Sequence, residues 1–476
     1  MTLQEQASNY QDENKDIDLN SKSDNPPWIN DSEDDSDDEW LFESMQRYKQ
    51  LCTYSIVCEA TSIDIHADSR QLVIAGERSL IANKANNQAM YEVAVYRIPE
   101  KLVIVDNEEK EGLSNGRDLS LLAGIGLERN VLMVRFLNSD VLVLAQKDDI
   151  SIWSINTESD LLIKLKSVPL ETPDLSVNIM TTSEDSMLLG FFRLSKMEIH
   201  ELSIKWDAKK PQICEVTKST ETQIINAPKD LLFEKFESFN QDLVTILSTN
   251  MSMERNFLFF EPHYNSENNI SLEYLGGIVD VDTTLPNYKL LVSSWTYMKQ
   301  DGVLGATIRI ENSDEEARHL FLHIYHSKTL DKKSIRSNMC SQKIQLHSNE
   351  DLVCHGNIDV LRNNVSVHLV PSSNSVMSTI CDTDERPSKL FAYTLVVKIE
   401  AKVNLYQMNF HVLGKTEDSK AWRVDCNLLF CHDAHKSRIL HALQYSSKLP
   451  QLFISVDENK ELHAWHWQNN DKSKKI

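Results

Sequence analysis

Four residues near the C-terminus have side chains that could do chemistry together: His435, Ser455, Asp457 and Trp465. A hydroxyl, an imidazole and a carboxylate are the parts of a nucleophile–base–acid set. No glycine-rich elbow surrounds Ser455, however. A buried imidazole needs partners for both ring nitrogens, and a strand serine with a turn aspartate supplies them. The set therefore reads as a structural hydrogen-bond network, and no catalytic residue is expected. A second group, Cys426, Cys431, His432 and His435, spells C-x4-C-H-x2-H, a run of zinc-type donors. Its spacing is not that of a common zinc finger, and a strand through 428–430 would splay these side chains to opposite faces. In ARHLFLHIYHS, strand alternation puts Leu320, Leu322 and Ile324 on one side with His326, and His319 with His323 on the other. His463 and His466 likewise fall on opposite faces of a strand. No metal and no cofactor are expected. Gly124-Ile125-Gly126 lacks the glycine and lysine of a phosphate loop, and Gly276-Gly277 reads as a turn.

The elements that would hold the first set lie in LLFCHDAHKSRILHALQYSSKLPQLFISVDENKELHAWHWQ, residues 428–468. Short alternating apolar runs (Ile439 to Leu443, Leu452 to Val456, Leu462 to Trp467) separated by polar turns predict an antiparallel meander. The theme recurs upstream at 72–98, 134–156, 186–205, 243–262, 288–327 and 389–410, about seven echoes in all. Insertions at 107–117, 265–269 and 328–350 widen the spacing. The last carries Lys328, Lys332, Lys333 and Arg336, expected as a solvated loop. No long helical pattern interrupts the strands, which argues against alternating helices and strands. Closing so many short strands into a ring removes exposed sheet edges. The expectation is an all-β, seven-bladed propeller over residues 53–468. A strand near Tyr54–Cys58 would complete the last blade by pairing outside Leu462–Trp467.

Ahead of the ring, residues 1–35 are acidic, poor in large apolar groups and expected to be disordered, as is the tail 469–476. Half of the formal charge of −22 sits in residues 1–39. Such a balance disfavours nucleic acid as a direct partner, since phosphate contacts need clustered cations. Ser36 and Glu39 are spaced as a capping box, and Leu41, Met45, Tyr48 and Cys52 recur at helical spacing, with Trp40 and Phe42 widening the stripe. This predicts a short amphipathic helix over 36–52. The acids Asp31, Glu33, Asp34, Asp35, Asp37 and Asp38, with Trp40, Leu41, Phe42, Met45 and Tyr48, form the candidate partner-binding strip. Eight scattered cysteines without a framework fit a reducing compartment. No signal peptide or membrane span is expected.

The layout of 428–468 resembles a WD repeat, with Ala434-His435 in place of Gly-His and Trp465-His466 in place of Trp-Asp. In such repeats a similar Ser, His, Asp and Trp set ties the strands of one blade together. Five stretches in register resemble the WD repeat-containing protein 73 family, in an insect or other invertebrate form. They are DDEWLFESMQRYKQL, YSIVCEATSIDIHADSRQLVIAGERSL, the Arg117-Asp118 pair, DVLVLAQKDDISIWSINTESD and the terminal LLFCHDAH…LFISVDENKELHAWHW. They span roughly the first third and last sixth of the chain. The resemblance implies a WD40-like scaffold without catalysis. It also implies partners: the two metallo-β-lactamase-fold subunits of the Integrator RNA endonuclease module, whose active site it would cover until a HEAT-repeat assembly factor joins. It further implies a cytoplasmic location, with the nucleus and spindle pole as additional sites. A microtubule or spindle-pole adaptor is the second reading that the resemblance carries.

Overall fold

Runs of four to eight alternating residues satisfy their backbone amides only by lying side by side, and the described residues do this throughout. The computed structural model describes residues 47–78, 90–103 and 118–169, then the strands and some turns between 177 and 446, and finally 449–467. The protein is all-β, in a propeller-like arrangement with five blades distinct.

An eight-stranded sheet comes first. It consists of two antiparallel meanders in series, Glu59–His66 through Ser120–Leu127 and Val131–Asn138 through Leu161–Pro169. Their last strands touch through one parallel bridge, Gly124 to Leu161. Sheets follow over Val177–Lys218, Leu231–Val279, Tyr288–His347 and Val365–His432. The last sheet joins Ile439–Ser446, Leu449–Asp457 and Glu461–Trp467 to the strand Tyr48–Ser55 from the other end of the chain.

Apolar side chains from both faces of these sheets fill the seams between neighbours. Leu72, Ile74 and Ala94 of the first meander pack with Ile454, Val456 and Leu462 of the last sheet. Leu395 and Val397 pack with Leu304, Ile308 and Leu322 in the same way. A strand buried on both faces reads as a near-continuous apolar run, which is what LVIA at 72–75 and VLVLA at 141–145 are. Among the described residues, four in hairpins take left-handed backbone: Arg70, Asp160, Glu400 and Lys460. Each turns its carbonyl toward a strand or segment beyond its own hairpin, accepting from Ile98, Gly124, Ile439 and Ile56 respectively.

The ends of the chain pair as expected in kind but not in place. The closing strand runs Tyr48–Ser55, with Tyr48 opposite Trp467 and Cys52 opposite Ala464, rather than Tyr54–Cys58. Cys58 instead sits fully buried in the core between the first meander and the last sheet. Tyr48 to Cys52 are therefore strand, not the end of a helix. Residues four apart share a face in both structures, so the spacing of Tyr48 and Cys52 could not separate them. The compact unit accordingly begins at Tyr48 rather than at residue 53. Residues 36–46 of that segment, the tails 1–35 and 469–476, and the strip from Asp31 to Met45 lie outside the described residues, as do Lys328, Lys332 and Lys333.

Two smaller expectations change. The 328–350 insertion is not wholly loop. Gln342–His347 pairs with Arg318–Ser327, and Ile335–Ser337 pairs in parallel with the last strand of the preceding sheet. Gly276-Gly277 lies inside the strand Ile270–Val279 at a register shift, where Gly276 takes φ 141°. A bulge needs the same permissive backbone as a turn, so the sequence signal is shared.

Candidate functional site

The last sheet and its neighbour bring four sequence-selected residues together. His435 lies in the loop before Ile439–Ser446, Ser455 and Asp457 end the next strand, and Trp465 lies on the third. His435 Nδ1 is 3.1 Å from Asp457 Oδ2, and its Nε2 is 2.8 Å from Ser455 Oγ. Trp465 Nε1 donates to the same Oγ at 3.1 Å. The backbone amide of Glu461 donates to Asp457 Oδ1 at 2.9 Å, which fixes the turn.

Three residues join that the sequence did not assign to the set. His432, at the end of Ala421–His432, places Nε2 3.3 Å from Ser455 Oγ. His463 Nδ1 is 3.4 Å from that His432 nitrogen. The Tyr48 hydroxyl is 2.7 Å from His432 Nδ1. A signal for His463 was present: it stands two residues before Trp465, hence on the same strand face. Tyr48 was hidden by its apparent place in a helix.

The protons of this group follow from one end. The Asp457 carboxylate only accepts, so His435 carries its proton on Nδ1 and accepts at Nε2. The single Ser455 proton must then go to His435 Nε2. Ser455 Oγ is left to accept from Trp465 and from His432 Nε2. His432 Nδ1 is thereby an acceptor, and the Tyr48 hydroxyl donates to it. The result is a directed chain, Tyr48 to His432 to Ser455 to His435 to Asp457, crossing from the closing strand through the preceding sheet into the last one. Burial lowers the pKa of His435, with Asp457 opposing, and takes His463 down to about 3. His435 and His463 are therefore neutral at pH 7, in keeping with this chain.

The Ser455, His435 and Asp457 distances are those of a hydrolytic triad, but the nucleophile is closed off. Ser455 and Asp457 are 0% exposed, and Oγ already has its proton committed and two donors against it. A substrate carbonyl has no approach. The three imidazoles also resemble a metal cradle, their nitrogens lying within 4.8 Å of one another. A ligated ion must lie close to each ring plane, about 2.0–2.1 Å from nitrogen. The His435 and His463 rings are stacked 3.7 Å apart at 12°, so one ion cannot lie in both planes. Cys426 takes no part: burial pushes its thiol up to about 12.

His466, on the opposite strand face from His463, donates to Leu102 O at 2.9 Å and ties the last sheet to the helical turn Glu100–Val103. His323 is buried with Leu322 and Ile324, beside Tyr325 at 3.4 Å, and Arg309 donates to the Tyr325 hydroxyl at 2.8 Å. Trp–Ser pairs echo the Trp465 contact at Trp153 with Ser151 and at Trp295 with Ser293. The sequence matches no protein-family model and no curated protein.

Proposed function

We propose that the chain is a seven-bladed, WD40-like scaffold that holds the endonuclease module of the Integrator complex during assembly. Support for the blade count comes from counting the two meanders of the eight-stranded sheet separately, and from the order in which first strands pack. Glu59–His66 packs on Val131–Asn138, which packs on Val177–Ser183, and the succession returns through Ile439–Ser446 to Glu59–His66. A propeller is typically a non-catalytic platform whose loops and rims carry its contacts.

The observation that carries the scaffold reading is the fate of the reactive side chains in the last sheet. Histidine, serine and aspartate are consumed in fastening the two chain ends, so action falls to the surface. The identity of the partners rests on the resemblance of the five stretches quoted above. The acidic strip from Asp31 to Asp38 is complementary to a nuclease groove, which is basic because it takes polyanions. Tagged full-length protein, purified from cells and analysed by mass spectrometry, should recover both metallo-β-lactamase-fold subunits and the HEAT-repeat factor. Deleting residues 1–35 should weaken that recovery and relieve nuclease inhibition. Recovery of tubulin in their place would sink this reading in favour of the spindle-pole adaptor.

A further inference from the structure

The strand that closes the ring is only half covered. Of its eight residues, Tyr48–Ser55, Tyr48 alone is buried, and the others are partly or fully exposed. Besides the backbone ladder to Glu461–Trp467, Tyr48 pins it, with the ring edge-on to Phe430 at 5.0 Å and the hydroxyl 2.7 Å from His432 Nδ1. The same strand walls off one flank of the buried imidazoles. Thr53 stands opposite His463 and Leu51 opposite Trp465, on whose ring His432 lies flat at 4.4 Å. Lifting the strand would open that flank to water.

While the strand is in place, the group behind it has no room for an added proton. His463 Nδ1 lies 3.4 Å from His432 Nε2, which carries its proton toward Ser455. A proton on His463 Nδ1 would set two N–H donors against each other, in a ring stacked 3.7 Å from His435. The titratable groups facing His463 are His432 from the preceding sheet, His435 from the loop, Asp457 from the adjacent strand and Glu461 on its own strand. From the closing strand comes Tyr48, behind His432. Asp457 is held by His435 at 3.1 Å, and Glu461, 42% exposed, reaches only to 3.9 Å from His463 Nε2.

We propose that Tyr48–Ser55 is an acid-released latch, which lifts from Glu461–Trp467 as pH falls, before the rest of the ring unfolds. Burial first and His435 second hold the closed His463 at about 3. An imidazole in water titrates at about 6.5. The closed form is therefore fully favoured above about pH 6.5 and loses ground as pH falls toward 3. Between pH 7 and pH 5 this one group multiplies the ratio of open to closed latch about 25-fold. Release bares a row of unpaired backbone groups on Glu461–Trp467, a template for another strand.

The latch needs no partner, so its failure would leave the scaffold reading intact. The test is hydrogen exchange of the full chain at pH 7 and pH 5, followed by mass spectrometry and corrected for the intrinsic rate at each pH. Amides of 48–55 and 461–467 should open together, and more readily than those of Val141–Gln146, a strand buried throughout. Their opening constant should rise at least tenfold at pH 5 in the wild type, and at least fivefold less in His463→Phe. Three results overturn the proposal: opening constants equal to those of Val141–Gln146, no rise at pH 5, or the same rise in the variant. If His463→Phe does not fold, the two wild-type comparisons decide alone.

Discussion

At the residue scale, one hydroxyl organises the last sheet. Ser455 Oγ has His435, His432 and Trp465 around it, so Ser455→Ala leaves buried donors and an acceptor without their partner. The expected cost is roughly 1–3 kcal/mol, measured as a lowered urea midpoint with an unchanged slope. An unchanged midpoint would mean that the network holds nothing together. The imidazoles make a second prediction. His463 titrates at about 3 and His441 at about 4, and His435 and His466 are also lowered, burial being the first cause for each. An unfolded imidazole titrates near ~6.5. Between these values the unfolded chain binds protons that the native one refuses. Stability is therefore full above about pH 6.5 and is lost as pH falls toward 4 and then 3. The urea midpoint should drop steeply below pH 6.5, and less steeply in His463→Phe, which keeps the stack on His435 but cannot protonate. A midpoint level down to pH 5 in the wild type would contradict this. The types of His435, Ser455, Asp457 and Trp465, and the spacing of their runs, made these four legible in the sequence. His432 and Tyr48 were not, because their partners come from another sheet and from the far end of the chain.

At the element scale, the left-handed turn residues fix where each hairpin hands the chain on. Lys460 has φ 66°, and its carbonyl accepts from the Ile56 amide, joining the last hairpin to the segment after the closing strand. Glycine adopts this backbone without the side-chain penalty, whereas a β-branched residue meets it fully. Lys460→Gly should hold or raise the melting temperature, and Lys460→Val should cost about 1–2 kcal/mol in denaturant titration. Equal stability in the two variants would show that the turn conformation is not needed. Nothing in DENKE marks Lys460 in advance: asparagine and aspartate are the usual guides to left-handed turns, and here the position falls to lysine. The strands themselves were legible because alternation is local. The Ile335–Ser337 strand was not, since three residues carry no period and their partner belongs to another sheet.

At the scale of the whole molecule, the physical claim is closure. A meander at one end of the chain is left with an unpaired edge, and a strand more than four hundred positions away covers it. That demand was legible as a requirement for some N-terminal strand, while the register had to come from tertiary packing. The Tyr48 ring meets Phe430 edge-on at 5.0 Å and its hydroxyl reaches His432, which anchors the pairing several residues earlier than alternation alone suggested. The most direct measurement uses the native Cys52 and its register partner. Ala464→Cys, in a chain shown to unfold cooperatively, should oxidise to an intramolecular disulfide that links tryptic peptide 50–70 to tryptic peptide 461–472 by mass spectrometry. A folded, monomeric variant in which Cys52 and residue 464 stay reduced, or pair with other cysteines, would contradict the closed ring.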